Sequence, residues 1–373
     1  MISHEEPNSL ILNSRQSLRP FGNDLWIINT GRAILEAVEH GETVLASVGM
    51  SSWEILLYFA SRYKAKLKIF APMPNDKGID EVKAAIKEDF HLDADRIEWR
   101  LIDIINGRDN KRKFQTERDR LILQEAKKAY PVSIRPGGNL ERHLHEMALS
   151  NISIDEKYRI KYYEPLRICK IVIDRKRINS QIDTILDNYL IHWTRTSNGR
   201  WPGETSYQFY DAIVSSKDRY PRSAFDTLIR IMSENKLRAS SRHYRKGAGA
   251  VPFSGLKPSE ASGLMRWRAR YQEMTFEPYG IAIRAEYARE MGIRKVYYGQ
   301  SEMFQYLDEI DKPYFQNIGI KGFWMPEKEY RYIGDFDLSS LCPGMATIIV
   351  LHKEEIEKVR SIGCLPVVSY YTD

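Results

Sequence analysis

Over roughly the first 150 residues, short apolar runs alternate with longer stretches in which apolar positions recur every three or four residues. Thr43–Val48 is one such run. It stops at Gly49, and behind Ser51 and Ser52 the positions Trp53, Ile55, Leu56, Leu57, Phe59 and Ala60 mark a helix face, with either serine as N-cap. Leu67–Ala71 reads as a second strand, residues 79–90 as an amphipathic helix, Ile97–Leu101 as a third strand and residues 116–128 as another helix. Tyr130–Ile134 is then a strand, and the glycine turn of residues 135–139 opens a helix from Leu140.

Strands separated by helices imply crossover units and a parallel sheet, with any ligand beyond the carboxyl ends of the strands. Gly49 and Gly137–Gly138 are expected on that edge. Ile168–Ile173 reads as one further strand. From about Ile182 the texture is α+β: a helix over 223–235 and short strands near 237–240, 250–254, 280–284, 296–298, 322–333 and 345–351. The predicted fold class is therefore α/β, a Rossmann-like parallel-sheet domain over residues 1–180 followed by an α+β domain over 181–373.

A length of 373 residues is more than one core usually serves, which supports two domains. No stretch approaches the roughly 20 apolar residues of a membrane-spanning helix. The first 20 residues lack a signal-peptide pattern, so a cytoplasmic location is expected. Cys169, Cys342 and Cys364 are too scattered for a zinc cage or a disulfide framework and read as small buried hydrophobes. The net charge of +6 is mild and consistent with a nucleotide or nucleic-acid partner.

In the run from Val132 to Glu141, a strand enters two glycines that expose backbone amides at a helix start, which is an anion site, with Arg135 adding charge. Together with Gly49, Ser51 and the Arg118-Asp119-Arg120 run, residues 40–150 resemble the superfamily joining the Lonely Guy phosphoribohydrolases and the DNA-processing protein A family. The resemblance implies that Gly49, Ser51, Arg135, Gly137, Gly138 and Asn139 gather around a nucleotide phosphate. The phosphoribohydrolase motif continues Pro-Gly-Gly-x-Gly-Thr-x-x-Glu. Here Leu140 and Glu141 replace the Gly and Thr, and Leu144 stands at the catalytic glutamate, which points to a sensor or substrate clamp rather than that hydrolase.

In the second half, His192 lies between apolar neighbours, Tyr279 precedes an apolar strand, and alternation puts Glu327, Glu329 and Arg331 on one strand face. An imidazole, an aromatic face and a carboxylate suit chemistry at a ribose carbon, where oxocarbenium charge develops. The order His192-x-Thr194, Tyr279-Gly280 and Glu327-x-Glu329 resembles the ADP-ribosyltransferase layout, and residues 188–360 resemble abortive-infection phage-defence proteins of the AbiGi type. The resemblance implies that His192, Tyr279 and one of Glu327 and Glu329 form the catalytic set and that Thr194 helps to hold the cofactor. His143 and His145 alternate along a helix and do not face each other, so no metal site is expected. The basic loop of residues 240–249 and Arg266–Arg270 form a positive rim.

The expected function is that of a prokaryotic anti-phage effector whose first domain binds a nucleotide. Its second domain would act on an N-glycosidic bond by NAD-dependent transfer or hydrolysis, with NAD or another nucleotide as cofactor and no metal. Two alternatives stand beside it: a DNA glycosylase acting on modified phage DNA, and a non-enzymatic, nucleotide-gated DNA-binding adaptor. The partners expected are a nucleotide and phage nucleic acid, and no membrane.

Overall fold

The computed structural model describes residues 7–73, 78–103, 110–150, 152–163, 167–240, 249–318 and 328–372. The chain forms two compact units: Met1–Arg167 with Glu204–Pro221, and Ile168–Gly203 with Arg222–Asp373.

The first unit runs β1 (Asn8–Asn13), α1 (Leu25–Glu39), β2 (Thr43–Ser47), α2 (Ser51–Tyr63), β3 (Lys66–Pro72), α3 (Ile79–Phe90), β4 (Ile97–Ile102), α4 (Asn110–Glu125), β5 (Lys128–Ser133), α5 (Asn139–Leu149) and β6 (Ser153–Ile154). All six strands are parallel, in the order β4-β3-β2-β1-β5-β6. This is the Rossmann-like domain that the pattern predicts. Its central strands are buried on both faces, which is why they read as continuous apolar runs rather than as alternation.

The chain steps from β1 outward to β4 and then returns to the other side of β1, so the strand order reverses between β1 and β5. A crevice opens at the carboxyl ends of strands at such a reversal. The central strand β1 has no sequence-predicted counterpart. Its apolar core, Leu10–Leu12, is three residues long and bounded by polar ones, too short to stand out until its neighbours are in place.

One helix, α6 (Ser206–Ser215), comes from early in the second half yet packs in the first unit, so the units do not divide at a single cut after residue 180. Its Tyr210 hydroxyl donates to Glu54 at 2.9 Å, and Asp211 accepts from the Tyr58 hydroxyl at 2.8 Å.

In the second unit the main sheet comprises β7 (Tyr189–Trp193), β8 (Ala250–Ser254), β9 (Gly280–Arg284), β10 (Arg294–Lys295), β11 (Glu329–Ile333), β12 (Ala346–Val350) and β13 (Val367–Ser369). Their order is β10-β11-β8-β7-β9-β12-β13, antiparallel except for the final pair. Helix α7 (Ala224–Glu234), expected over 223–235, starts at a Ser223 capping box and ends at Asn235 in the left-handed conformation.

Three expectations are corrected. Ile168–Ile173 forms no strand: it has no ladder partner, and Ile168 and Val172 are exposed. Cys342 and Cys364 are exposed, because each sits in a turn or bend ahead of a strand rather than in the core. Neither Ser51 nor Ser52 is an N-cap, since the helix begins one residue early and places Met50 there. Among the described residues, no helix is long and apolar enough to cross a membrane.

Candidate functional site

Parallel pairing puts the Gly49 turn after β2 and the Gly137 turn after β5 on the same sheet edge, flanking the end of β1. With strands about 4.8 Å apart, the two turns stand about 10 Å from each other. Both glycines adopt positive φ, +85° and +69°, a conformation that a side chain strains. The helices that follow, α2 and α5, have N-caps Met50 and Gly138 and receive no side-chain cap. Their first-turn amides and dipoles point positive charge at the crevice. Arg118 adds to it: its guanidinium is buried, lies 3.7 Å from Met50 Sδ and 5.1 Å from the Trp53 ring centre, and pairs with Asp119 at 2.6 Å.

The floor of the crevice is polar and tightly bonded. Ser14 N donates to Ser133 O at 2.7 Å, Arg135 N donates to Ser14 Oγ at 2.8 Å, and Gln16 Nε2 donates to Ser133 Oγ at 3.0 Å. One group there is orphaned. Asn13, at the end of β1 and 6% exposed, donates through Nδ2 to Thr30 Oγ1 at 2.9 Å, and its Oδ1 has no partner among the described residues. The amide orientation is fixed by chemistry: the Thr30 hydroxyl gives its one proton to Trp26 O at 2.6 Å, so it can only accept from Asn13. A buried acceptor left unpaired costs about 1 to 3 kcal/mol.

The other expected residues of this site fall as follows. Ser51 is the first residue of α2 and is exposed. The Arg135 side chain is exposed, and Asn139 Oδ1 accepts from Arg142 at 2.8 Å. The Gly137 amide is already engaged, donating to Glu141 Oε2 at 2.7 Å. Leu144, at the position of the phosphoribohydrolase glutamate, is buried in the core.

In the second unit the register separates the expected trio. His192 pairs with Ile281, and Thr194 N donates to Tyr279 O, so His192, Thr194 and Tyr279 share one sheet face. Glu329 pairs with Ser254, and Ser254 with Ile191, which places Glu329 on the face of Ile191, opposite His192. The ring contact of His192 with Phe253, 5.8 Å between centres, agrees with that assignment. Glu329 instead forks onto the buried Arg331 (2.8 and 3.2 Å). Arg331 in turn donates to Pro313 O, Phe315 O and Gln316 Oε1. Glu327 lies outside the described residues. With Glu329 as its carboxylate, the sugar-binding constellation of imidazole, phenol and carboxylate is therefore not assembled, because the register through the intervening strand puts Glu329 on the other face.

Tyr279 is buried against Phe225 and its hydroxyl donates to Glu355 at 2.9 Å. Burial first, and then the Glu355 carboxylate, push its phenol well above the ordinary value. The Thr194 hydroxyl is used inside the fold, donating to Ala224 O at 2.9 Å.

His192 Nδ1 lies 2.8 Å from Pro252 O, and a carbonyl can only accept, so Nδ1 carries the proton and Nε2 is an acceptor. Burial holds this imidazole below its ordinary pKa of 6.5, so it stays neutral. The His192 contribution to stability is consequently full above about pH 6.5 and is lost as the pH drops through that value, where the unfolded chain gains a proton that the folded chain refuses. Urea midpoints should fall less on acidification for His192→Asn than for the wild type. Equal falls would assign the acid sensitivity to other groups.

Sequence reasoning missed Asn13, Ser14, Gln16 and Thr30, all of which depend on β1. The available signal was the Leu10–Leu12 run followed by Asn13-Ser14 and then an amphipathic stretch from Leu25. No protein-family model matches the chain, and no curated protein does. Among solved structures, the chain is similar to a molybdenum cofactor carrier protein from Chlamydomonas reinhardtii, at 9% identity and a TM-score of 0.26 over 40% of this chain and 74% of that one. It is also similar to DNA processing protein A from Streptococcus pneumoniae, at 7% identity and a TM-score of 0.27, over 40% of this chain and 58% of that one. Both likenesses cover two-fifths of the chain.

Proposed function

We propose that the first unit binds a phosphorylated nucleotide in the crevice between β1 and β5 and serves as a nucleotide sensor or clamp. The orphaned Asn13 Oδ1 carries this reading: a buried acceptor at the strand-order reversal, between two uncapped helix starts, calls for a ligand donor such as a ribose hydroxyl or a base amine. The α2 start, with the Arg118 charge beside it, suits the phosphate. No carboxylate stands at the hydrolase position, where Leu144 is packed, so binding without phosphoribohydrolysis fits best. Calorimetric titration of the full chain with AMP, ADP-ribose, NAD and adenosine tests this. Binding of the phosphorylated ligands above adenosine is expected; no heat from any of them sinks the proposal.

Glu141 refines the expectation. Its carboxylate occupies the Gly137 amide that a phosphate oxygen would use. Glu141→Ala frees that amide and removes a negative charge, so AMP should bind about tenfold more tightly, the effect of about one charge-assisted hydrogen bond. Unchanged or weaker binding would place the phosphate elsewhere.

A second reading, cleavage or transfer at the N-glycosidic bond of NAD by the second unit in an anti-phage setting, is favoured by the neutral His192, whose Nε2 is an acceptor suited to a ribose hydroxyl. Its carboxylate would have to be one other than Glu329. Nicotinamide release from NAD is its measure, and release lost in His192→Ala but kept in Glu329→Gln would support it.

A further inference from the structure

The charge is unevenly divided. Each unit has 28 Lys and Arg, but the first has 28 Asp and Glu and the second 22, so the whole net charge of +6 belongs to the second unit. Many of its cations are paired within the unit, as Arg268 and Arg195 are with the buried Glu273, the latter at 3.5 Å. Others face outward. Arg175, Lys176, Arg266 and Arg270 are exposed, and none of them forms an ion pair among the described residues. Two carboxylates of this region are engaged locally, Asp174 with the Lys176 amide and Asp183 with Ser259.

These cations are brought together by two pieces of local structure. The turn Arg175–Arg177 abuts the segment around Gly263, where Arg175 Nη2 lies 3.4 Å from the position a Cβ would take. That segment leads into a hairpin of Trp267–Arg268 and Glu273–Met274. At its tip Tyr271 is 47% exposed, with the guanidinium carbons of Arg268 and Arg270 5.1 and 5.7 Å from the ring centre. Asn198 Nδ2 fixes the tip by donating to Tyr271 O and Gln272 O at 3.0 and 3.1 Å. The ring is thus presented on a braced support.

We propose that this hairpin and the adjoining turn form a platform for single-stranded nucleic acid, with Tyr271 stacking on a base and Arg175, Lys176, Arg266 and Arg270 following the phosphates. An exposed ring with the unpaired Arg270 beside it suits an unstacked base, whereas a duplex keeps its bases stacked and offers the ring nothing. The platform is independent of the nucleotide crevice.

Fluorescence anisotropy of the full chain with a labelled oligonucleotide, single-stranded or annealed to its complement, tests the proposal across a salt series. The single strand should bind more tightly, with affinity falling steeply as salt rises. Arg266→Ala with Arg270→Ala should flatten the slope of log affinity against log salt by about 1.4, that is about 0.7 for each phosphate no longer neutralised. Tyr271→Ala should weaken binding about tenfold without changing the slope, and Tyr271→Phe should restore it. All are surface changes, and unchanged melting temperatures will show that the fold is intact. Equal affinity for duplex, indifference to Tyr271→Ala, or binding to anionic vesicles with none to the oligonucleotide would each overturn it.

Discussion

Arg331→Ala should destabilise the second unit by about 3 to 5 kcal/mol, the usual cost of removing one partner from a buried ion pair. Its guanidinium is buried and, among the described residues, donates to both Glu329 oxygens, two carbonyls and Gln316 Oε1. Truncation leaves Glu329 without its cation and releases the segment 313–316 from β11. Glu329→Gln keeps much of the geometry and should cost less, about 1.5 to 3 kcal/mol, the worth of a hydrogen bond to a charged group. The double variant should be less destabilised than the sum of the singles, because the two side chains form one network. Urea unfolding followed by tryptophan fluorescence measures all three. Additive effects would mean that Glu329 does not depend on Arg331, and its assignment as a structural residue would fail.

Asn13→Leu should separate stability from ligand binding. Leucine removes an acceptor that the apo fold leaves unpaired, while Thr30 keeps its bond to Trp26 O, so the melting temperature should hold or rise. The same change takes away the group that would receive a ligand proton. AMP affinity should then drop about 10- to 150-fold, corresponding to about 1.5 to 3 kcal/mol for a buried polar partner removed. A purely structural role for Asn13 predicts the reverse, lower stability with unaltered binding.

The parallel architecture was legible because each buried strand is a compact apolar run and each helix repeats at 3.6 residues. Residues 79–90 and the strands at 250–254 and 280–284 needed no adjustment. Residues whose placement depends on partners were not legible. The apolar core of β1 is three residues that make sense only between β2 and β5. Helix α6 sits in the first unit because Tyr58 and Glu54 receive it, which no periodicity reports.

The candidate site in the second unit shows the same limit more sharply. Alternation correctly put Glu329 and Arg331 on one face of their strand. Whether that face coincides with the His192 face depends on the strand between them, and a register is a property of pairing rather than of either segment. On the first unit's edge, both glycine turns were readable, while the engagement of Gly137 by Glu141 followed only from the turn's folded shape.

Hydrogen–deuterium exchange of the full chain, with and without saturating AMP, addresses the nucleotide crevice most directly. Slower exchange is expected at the first-turn amides of α2 and at residues 137–142, with the rest of the first unit little changed. Bound AMP that leaves both helix starts exchanging as before, or that protects only the second unit, would contradict the account.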